Sequence, residues 1–461
     1  MSSPSEILHA KTEDLRDRQN REKYTVTVFG CGLIGILHAC LFADAGYRVI
    51  CTDSDQTVLT QLARGKTSFL PEETETKLRT NVKTKRIVAM NEVKTAVQQS
   101  DVIVLSLPVE VDSKRKPDYS RLEKSVRSIA NCLRKGSLVI MTSIVGLGLM
   151  DNLLKQPIED VSGYKAGVDF GLVYSPISTE QIQTLESMVD YGRIVASSDK
   201  KSLETASAIL APLYKKDLRE CNNIRTAEIA ALFERTKQNV NDALASEFAV
   251  FCEKARVDYQ EVSGLINTGF STASLSSTQI TEIDDYASSL LLEDSENLNA
   301  KLSLVSVTKL TNGEIVKHIV SLTKDVLRSC EKSMRRTRIS LLGISSLRNA
   351  KSSPRAIIKA LTKTLEARGA KVRLYDPYIP ELELQSAQVR PARSLSEALE
   401  GADCFIVVTA HDTFKCMNLG KLKVLMRLPA AIVDFEGCFD PEKVEKEGFA
   451  YRGVGRGAWS E

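Results

Sequence analysis

The stretch TVTVFGCGLIGILHACLFADAGYRVICTD, residues 25–53, decides the fold. TVTVFG (25–30) reads as a strand. Gly30-Cys31-Gly32-Leu33-Ile34-Gly35 follows it directly and opens a helical pattern, and RVICTD (48–53) reads as the next strand, ending on Asp53. A Gly-x-Gly-x-x-Gly turn between strand and helix, answered by an acid at the end of the second strand, is the arrangement that cradles a dinucleotide. The first glycine makes the turn, the second lets the backbone approach a pyrophosphate, and the third packs the helix against the strand. The helix N-terminus then points at the phosphates. Asp53 is placed to accept a hydrogen bond from a ribose 2′-hydroxyl and to repel a 2′-phosphate, which favours NAD over NADP.

Outward from this unit, short apolar runs continue to alternate with helical patterns, as in a doubly wound parallel sheet. DVIVLSLP (101–108), SLVIMTS (137–143), FGLVYSP (170–176) and GRIVAS (192–197) read as further strands. From Ile224 to about Val257, apolar residues recur at helical spacing through Ala227, Ala231, Phe233, Val240, Leu244, Phe248 and Phe251, without Gly or Pro. A helix that long spans two domains or packs against a partner subunit. The serine- and threonine-rich run 271–281 reads as a loop, and helical patterns return from about Tyr286 to Lys332. A second α/β unit follows, with strands RISLLGI (338–344), KVRLYDP (371–377), CFIVVTA (404–410) and AAIVDFEG (430–437). A helix over about 354–368 separates the first two, with Pro354 at its start and Gly369 at its end. The expected fold class is α/β: two Rossmann-like doubly wound lobes joined by a helical central region with one long helix. The expected divisions are a polar extension over 1–23, disordered or loosely helical, a cofactor lobe over 24–220, a helical dimerisation region over 221–334 and a second lobe over 335–461.

The 461 residues are 43% hydrophobic and 26% charged, with a net charge of +3, which suits sizeable cores and gives no reason to expect nucleic acid. No stretch approaches the roughly 20 apolar residues of a membrane span, and the N-terminus lacks the apolar segment of a secretory signal. The ten cysteines are scattered singly, without CxxC pairs or zinc-ligand spacing, so they read as thiols in a reducing cytoplasm and no metal site is expected. Gly65-Lys66-Thr67-Ser68 ends like a P-loop, but Thr60 stands where the first glycine belongs.

Several ordered segments resemble the nucleotide-sugar dehydrogenases, similar to UDP-N-acetylmannosamine and UDP-glucose 6-dehydrogenases. They include DVIVLSLPVEVDSKRKPDYSRLE (101–123), KAGVDFGLVYSP (165–176), TAEIAALFERTKQNVNDALASEFAVFCEK (226–254), RGAKVRLYDPYIPE (368–381) and AIVDFEGCFDPEKVEKEGFAYRGVGRG (431–457). The resemblance implies an N-terminal NAD domain, a long helix that builds a dimer, and a C-terminal lobe that helps hold a UDP-sugar. It also implies a four-electron oxidation of a sugar alcohol to a carboxylate. In that route a cysteine thiolate traps the aldehyde, a lysine and an asparagine steady the oxyanion, and a glutamate serves hydrolysis of the thioester.

Transferred residue by residue, the cofactor side is retained and the reaction centre is not. The Gly30–Gly35 turn, Asp53, Pro108, Ser143 and Asp376 are kept. The glutamate position after Ser175-Pro176 holds Ile177, the lysine position holds Ala231 and the asparagine position holds Arg235. The cysteine loop matches Ser276–Ile280, around Thr278 and Gln279, and no cysteine lies between Cys252 and Cys330. In the C-terminal lobe the arginine-bearing stretch is shortened to 346–354, and Glu436 stands where the family has arginine. Without a thiolate there is no covalent trap, and loss of one oxyanion donor costs on the order of 10²–10³ in rate. Two readings follow. The first is a non-catalytic or regulatory relative that binds NAD, alone or with a UDP-sugar, and pairs with itself or with an active paralogue. The second is an active NAD-dependent oxidoreductase on a nucleotide sugar with a rearranged site, stopping at a two-electron step. That chemistry needs a general base, and His9, His38, His318 and His411 all lie away from the matched reaction positions.

Overall fold

The structure, a computed structural model, describes residues 7–67, 70–107, 109–111, 117–178, 182, 184–267, 286–345, 348–349, 355–379 and 391–456. The chain divides into two compact units, one of residues 1–236 and 286–301, the other of 237–285 and 302–461. The helices of the 221–334 region are thus shared between the units.

Among the described residues the strands are β1 (Thr25–Phe29), β2 (Arg48–Thr52), β3 (Ile87–Ala89), β4 (Val102–Leu105), β5 (Glu110–Val111), β6 (Pro117–Asp118), β7 (Leu138–Met141), β8 (Gly171–Tyr174), β9 (Ile194–Ala196) and β10 (Arg219–Cys221) in the first unit. The second unit holds β11 (Arg338–Leu342), β12 (Lys371–Tyr375), β13 (Cys404–Val407), β14 (Ala431–Asp434) and β15 (Ala450–Gly453). The first sheet runs β10-β9-β8-β7-β4-β1-β2-β3, parallel except for the antiparallel β8–β9 pair, and β5 and β6 form a separate two-stranded ribbon. The second runs β12-β11-β13-β14-β15, all parallel. Strand order reverses beside β1 and β4 in the first sheet and beside β11 and β13 in the second, and each such switch point opens a crevice at the strands' C-terminal ends.

The continuous apolar runs divide by the two-residue period of a strand. Val26, Val28, Val102, Val104, Leu138 and Ile140 enter the core on one face of the first sheet, while Phe29, Ile103, Leu105, Val139 and Met141 enter the core on the other. The second sheet repeats this, with Ile339, Leu341, Cys404, Ile406 and Val433 on one side and Leu342, Phe405, Val407 and Ile432 on the other. The long helix runs Ile224–Ala255. A helix over Ala356–Ala367 is followed by Gly369 at φ 87°, whereas Pro354 and the run 271–281 lie outside the described residues.

The N-terminal extension takes the helical of its two expected forms, and it is docked. Described from Ile7, it forms a short 3-10 turn (Ile7–His9) and two short helices (Thr12–Arg16, Arg18–Arg21). Ile7, Leu8 and Leu15 are buried, and Arg21 donates to the backbone oxygens of Leu15, Arg16 and Ala45. Three apolar residues in so polar a stretch make no periodic signal. Their burial comes from docking on the first unit, where Thr12–Arg16 packs against the helix Lys200–Leu210.

Candidate functional site

The turn after β1 has the geometry its glycines require. Gly30 adopts φ 91°, and a Cβ there would stand 2.3 Å from the Ser106 carbonyl oxygen. A Cβ on Gly35 would stand 1.8 Å from the Gly30 oxygen, so this glycine seats the helix Leu33–Asp44 on the turn. Gly32 is different: nothing lies within 4 Å of its missing Cβ. It is the N-cap of that helix, no side chain caps it, and the first turn holds no acidic residue. An uncapped helix start with open space before it fits a phosphate group.

Asp53 follows β2 and is half-buried. Its Oδ2 accepts from Cys31 N (2.6 Å) and its Oδ1 from Asp55 N (3.0 Å), which fixes the carboxylate beside the turn. A carboxylate offers about four lone-pair sites, so acceptor capacity is left for a ribose hydroxyl. The Cys31 thiol is buried and donates to the Thr52 oxygen (3.4 Å). Its hydrogen bond with Cys51, burial and neighbouring charge push it well above the usual thiol range, so Cys31 is no nucleophile. Leu33 and Ile34 open the helix, with Ile34 buried beneath it. The Ser143 hydroxyl, after β7, bonds to the Leu107 oxygen and ties two strand ends together. Pro108 lies outside the described residues. Sequence reasoning missed Arg121, on the helix Ser120–Ala130, whose Nη2 reaches the Ser54 hydroxyl (3.4 Å) next to Asp53.

Ala231 and Arg235, one helical turn apart on Ile224–Ala255, do come together with the segment after β8. With Ile144, Pro176, Ser178, Tyr191, Gly192, Ile194 and Glu234 they line a cavity of about 10 Å³, room for about one water molecule. Arg235 is itself buried. Ile177 does not join them: it packs into the core with Val173, Ile182 and Leu185. Thr278 and Gln279 lie outside the described residues. Burial and the Glu234 charge push the Tyr191 phenol up, against a hydrogen bond with the Ser178 backbone and the Arg193 charge, so it stays protonated at neutral pH.

Two carboxylates that sequence reasoning passed over hold the loop after Ser143. Glu228, fully buried one turn before Ala231, accepts from Gly148 N (2.7 Å) and Met150 N (2.9 Å). Asp294 accepts from Leu147 N (2.9 Å). Burial pushes both carboxyls up. The only sequence signal was an acid set among the small apolar residues of the long helix.

In the second unit, Asp376, His411 and Ser345 meet at the strand ends. His411 Nε2 lies 3.1 Å from Asp376 Oδ2 and 3.0 Å from Ser345 Oγ, while Nδ1 accepts from Asn349 N (2.9 Å). The ring hydrogen therefore sits on Nε2. One nitrogen faces both partners, and His411 and Ser345 are fully buried. The trio is a structural lock, since a nucleophile relay needs separate nitrogens for its two partners. No group of three metal-ligating side chains occurs among the described residues.

Comparison with known proteins agrees with this geometry. The NAD binding domain of the UDP-glucose/GDP-mannose dehydrogenase family matches residues 24–216, and the UDP binding domain of the same family matches 340–441. The UDP-N-acetyl-D-mannosamine dehydrogenase of Pyrococcus horikoshii is 25% identical over 94% of this chain and 99% of its own. The UDP-glucose 6-dehydrogenase of Rhizobium meliloti is 24% identical over the same shares. Among solved structures, the UDP-D-ManNAc dehydrogenase of Pyrococcus horikoshii superposes with a TM-score of 0.83 at 24% identity, covering 94% of this chain and 100% of that one.

Proposed function

The chain belongs to the UDP-glucose/GDP-mannose dehydrogenase family, and from that premise we propose that it is an NAD-dependent oxidoreductase of a nucleotide sugar, of the UDP-N-acetylmannosamine or UDP-glucose type, with a rebuilt reaction centre. Of the two readings open from the sequence, the relatives favour this one. The observation that carries it is the match along 94% of the chain to proteins named as dehydrogenases, with the Gly30–Gly35 turn intact. NAD, when bound, supplies the hydride acceptor. On this reading the helix start at Leu33 meets its pyrophosphate, Gly32 lets the backbone approach, and Asp53 takes the ribose hydroxyl. Ser143 holds the end of β7 in register beside the turn.

The rebuilt centre supports a two-electron oxidation, in which the sugar carbinol gives up a hydride and its hydroxyl proton goes to a base. Around the cavity at Ala231, Glu234 is the group suited to take that proton, because the Tyr191 phenol is pushed up and a guanidinium such as that of Arg235 has no acceptor. A pairing through Ile224–Ala255 belongs to the same proposal. Phe233, Phe248 and Phe251 on it are exposed, Phe251 by 71%, more apolar surface than a solvated helix presents. A cytoplasmic setting is supported by the ten unpaired cysteines. Among the described residues no helix is long and apolar enough to cross a membrane.

The non-catalytic reading keeps one specific observation in its favour: Ala231 and Arg235 enclose a cavity of only about 10 Å³. The test is NADH formation by the purified protein with each UDP-sugar. Oxidation is expected, and Glu234→Gln is expected to lower it by about 10²-fold, the lower end of a general base's contribution. NAD binding without NADH from any UDP-sugar establishes the non-catalytic reading instead.

A further inference from the structure

In an open α/β sheet, anionic ligands meet the backbone N–H groups at the strand ends beside the switch point. In the second unit the switch point lies between β11 and β13, and the N–H groups there are already given to the chain's own carboxylates. Asp376 Oδ2 accepts from Ile344 N and Ser345 N, each at 2.8 Å. Glu436, two residues past β14, accepts from Ala410 N at 2.9 Å through Oε2. Its other oxygen, Oε1, accepts from Arg355 Nη2 at 2.9 Å. Arg355 is the N-cap of the helix Ala356–Ala367, the first after β11 among the described residues.

This ion pair is nearly dry, with Arg355 10% and Glu436 13% exposed. Arg355 Nη1, on the same guanidinium, is buried and has no hydrogen-bond partner among the described residues. A guanidinium, a backbone N–H and a helix start together form the set that recognises a phosphate. Here the Glu436 carboxylate occupies it, with one arm of the fork left over.

We propose that Glu436 is a tethered stand-in for a ligand phosphate, and that it sets the charge selectivity of the second unit by competing with a nucleotide's phosphates for Arg355 and Ala410 N–H. The proposal rests on the reading that this unit binds a uridine nucleotide. Glu436 cancels the charge of Arg355, and a phosphate brought beside it meets a like charge at low dielectric. Phosphate-bearing ligands are therefore held weakly, and the uridine end carries the recognition.

The test is calorimetry on the full chain with UDP and with uridine. Glu436→Gln is expected to tighten UDP by about tenfold, to leave uridine and NAD unchanged, and to lose the gain when Arg355→Gln is added. UDP bound more weakly by Glu436→Gln would mean that Glu436 positions Arg355 for the ligand, and overturns the proposal. So does a gain that persists without Arg355. Equal UDP affinity in both proteins overturns it while leaving the parent reading standing, and no UDP bound by either overturns both. Should Glu436→Gln fail to fold, Glu436→Asp, which withdraws the carboxylate by one methylene, is expected to tighten UDP by about threefold. No change there counts against the proposal equally.

Discussion

Two turns in this molecule share a plan and are left in opposite states. Each follows the first strand of its sheet and begins on a left-handed glycine, Gly30 at φ 91° and Gly343 at φ 70°. A Cβ on Gly343 would stand 2.1 Å from the Thr409 oxygen, much as one on Gly30 would meet Ser106. In each, the aspartate after the second strand accepts the N–H of the residue after that glycine: Asp53 from Cys31, Asp376 from Ile344. There the likeness ends. Asp53 is half-buried and faces a turn with open space before its helix start at Gly32. Asp376 is buried under His411, and the N-cap residue of its helix is paired to Glu436. One backbone solution therefore makes either an anion site or a self-filled crevice. The carboxylates sent back from later strands decide which.

The comparison breaks first at its glycines. Gly35→Ala forces a methyl into the Gly30 carbonyl and is expected to cost about 3 kcal/mol of stability, an overpacking effect, read by chemical denaturation. A variant as stable as the unmutated chain would mean that the turn is looser than drawn.

Asp376→Asn comes next, at about 2 kcal/mol. Burial pushes this carboxyl up, but His411 with the Ser345 and Tyr378 N–H groups outweighs burial and holds it below the carboxylate range. A carboxyl with a lowered folded pKa stabilises above its unfolded value, about 3.9, and that stability is lost as pH falls through the folded value. The difference between unmutated protein and variant should therefore hold from neutral pH down to about pH 4 and shrink below it. A constant difference across that range would remove the charge from the explanation.

Gly32→Ala sharpens the contrast, because nothing fills the space before Gly32. Stability should hardly change, whereas NAD affinity by calorimetry should fall about tenfold. The smallest expected effect is in Asp53→Ala, which should narrow the preference for NAD over NADP by about fivefold, roughly 1 kcal/mol. Arg121 beside it is then able to attract the 2′-phosphate. Equal affinity for both cofactors before any mutation would refute the role given to Asp53.

Much of this was legible in the sequence because burial on both sheet faces writes continuous apolar runs. The strands at 25–30, 48–53 and 404–410 were read within three residues of their ends, and the long helix within two. The edge strands β3, β10 and β15 were not: β3 and β10 are three residues long, and β15 (AYRG) lacks an apolar run. The N-terminal docking was missed for want of a pattern in three scattered apolar residues. At the site, the Gly turn and Asp53 were legible because their chemistry is local. The Arg355–Glu436 pair spans 81 positions, and the core-facing direction of Ile177 depends on how β8 ends. Neither leaves a mark in spacing. The direction of Ile177 also explains why Ile177→Glu would not simply restore a hydrolytic acid: it would bury a carboxylate in an apolar core.

The proposed two-electron chemistry is tested most directly by the ratio of NADH to oxidised sugar, with the product identified by mass spectrometry after incubation with NAD and UDP-N-acetylmannosamine or UDP-glucose. One NADH per molecule of a two-electron product, and no uronate, is the expected result. Two NADH per uronate, at a turnover above about one per second, would contradict it and show that a complete four-electron centre lies elsewhere in this chain.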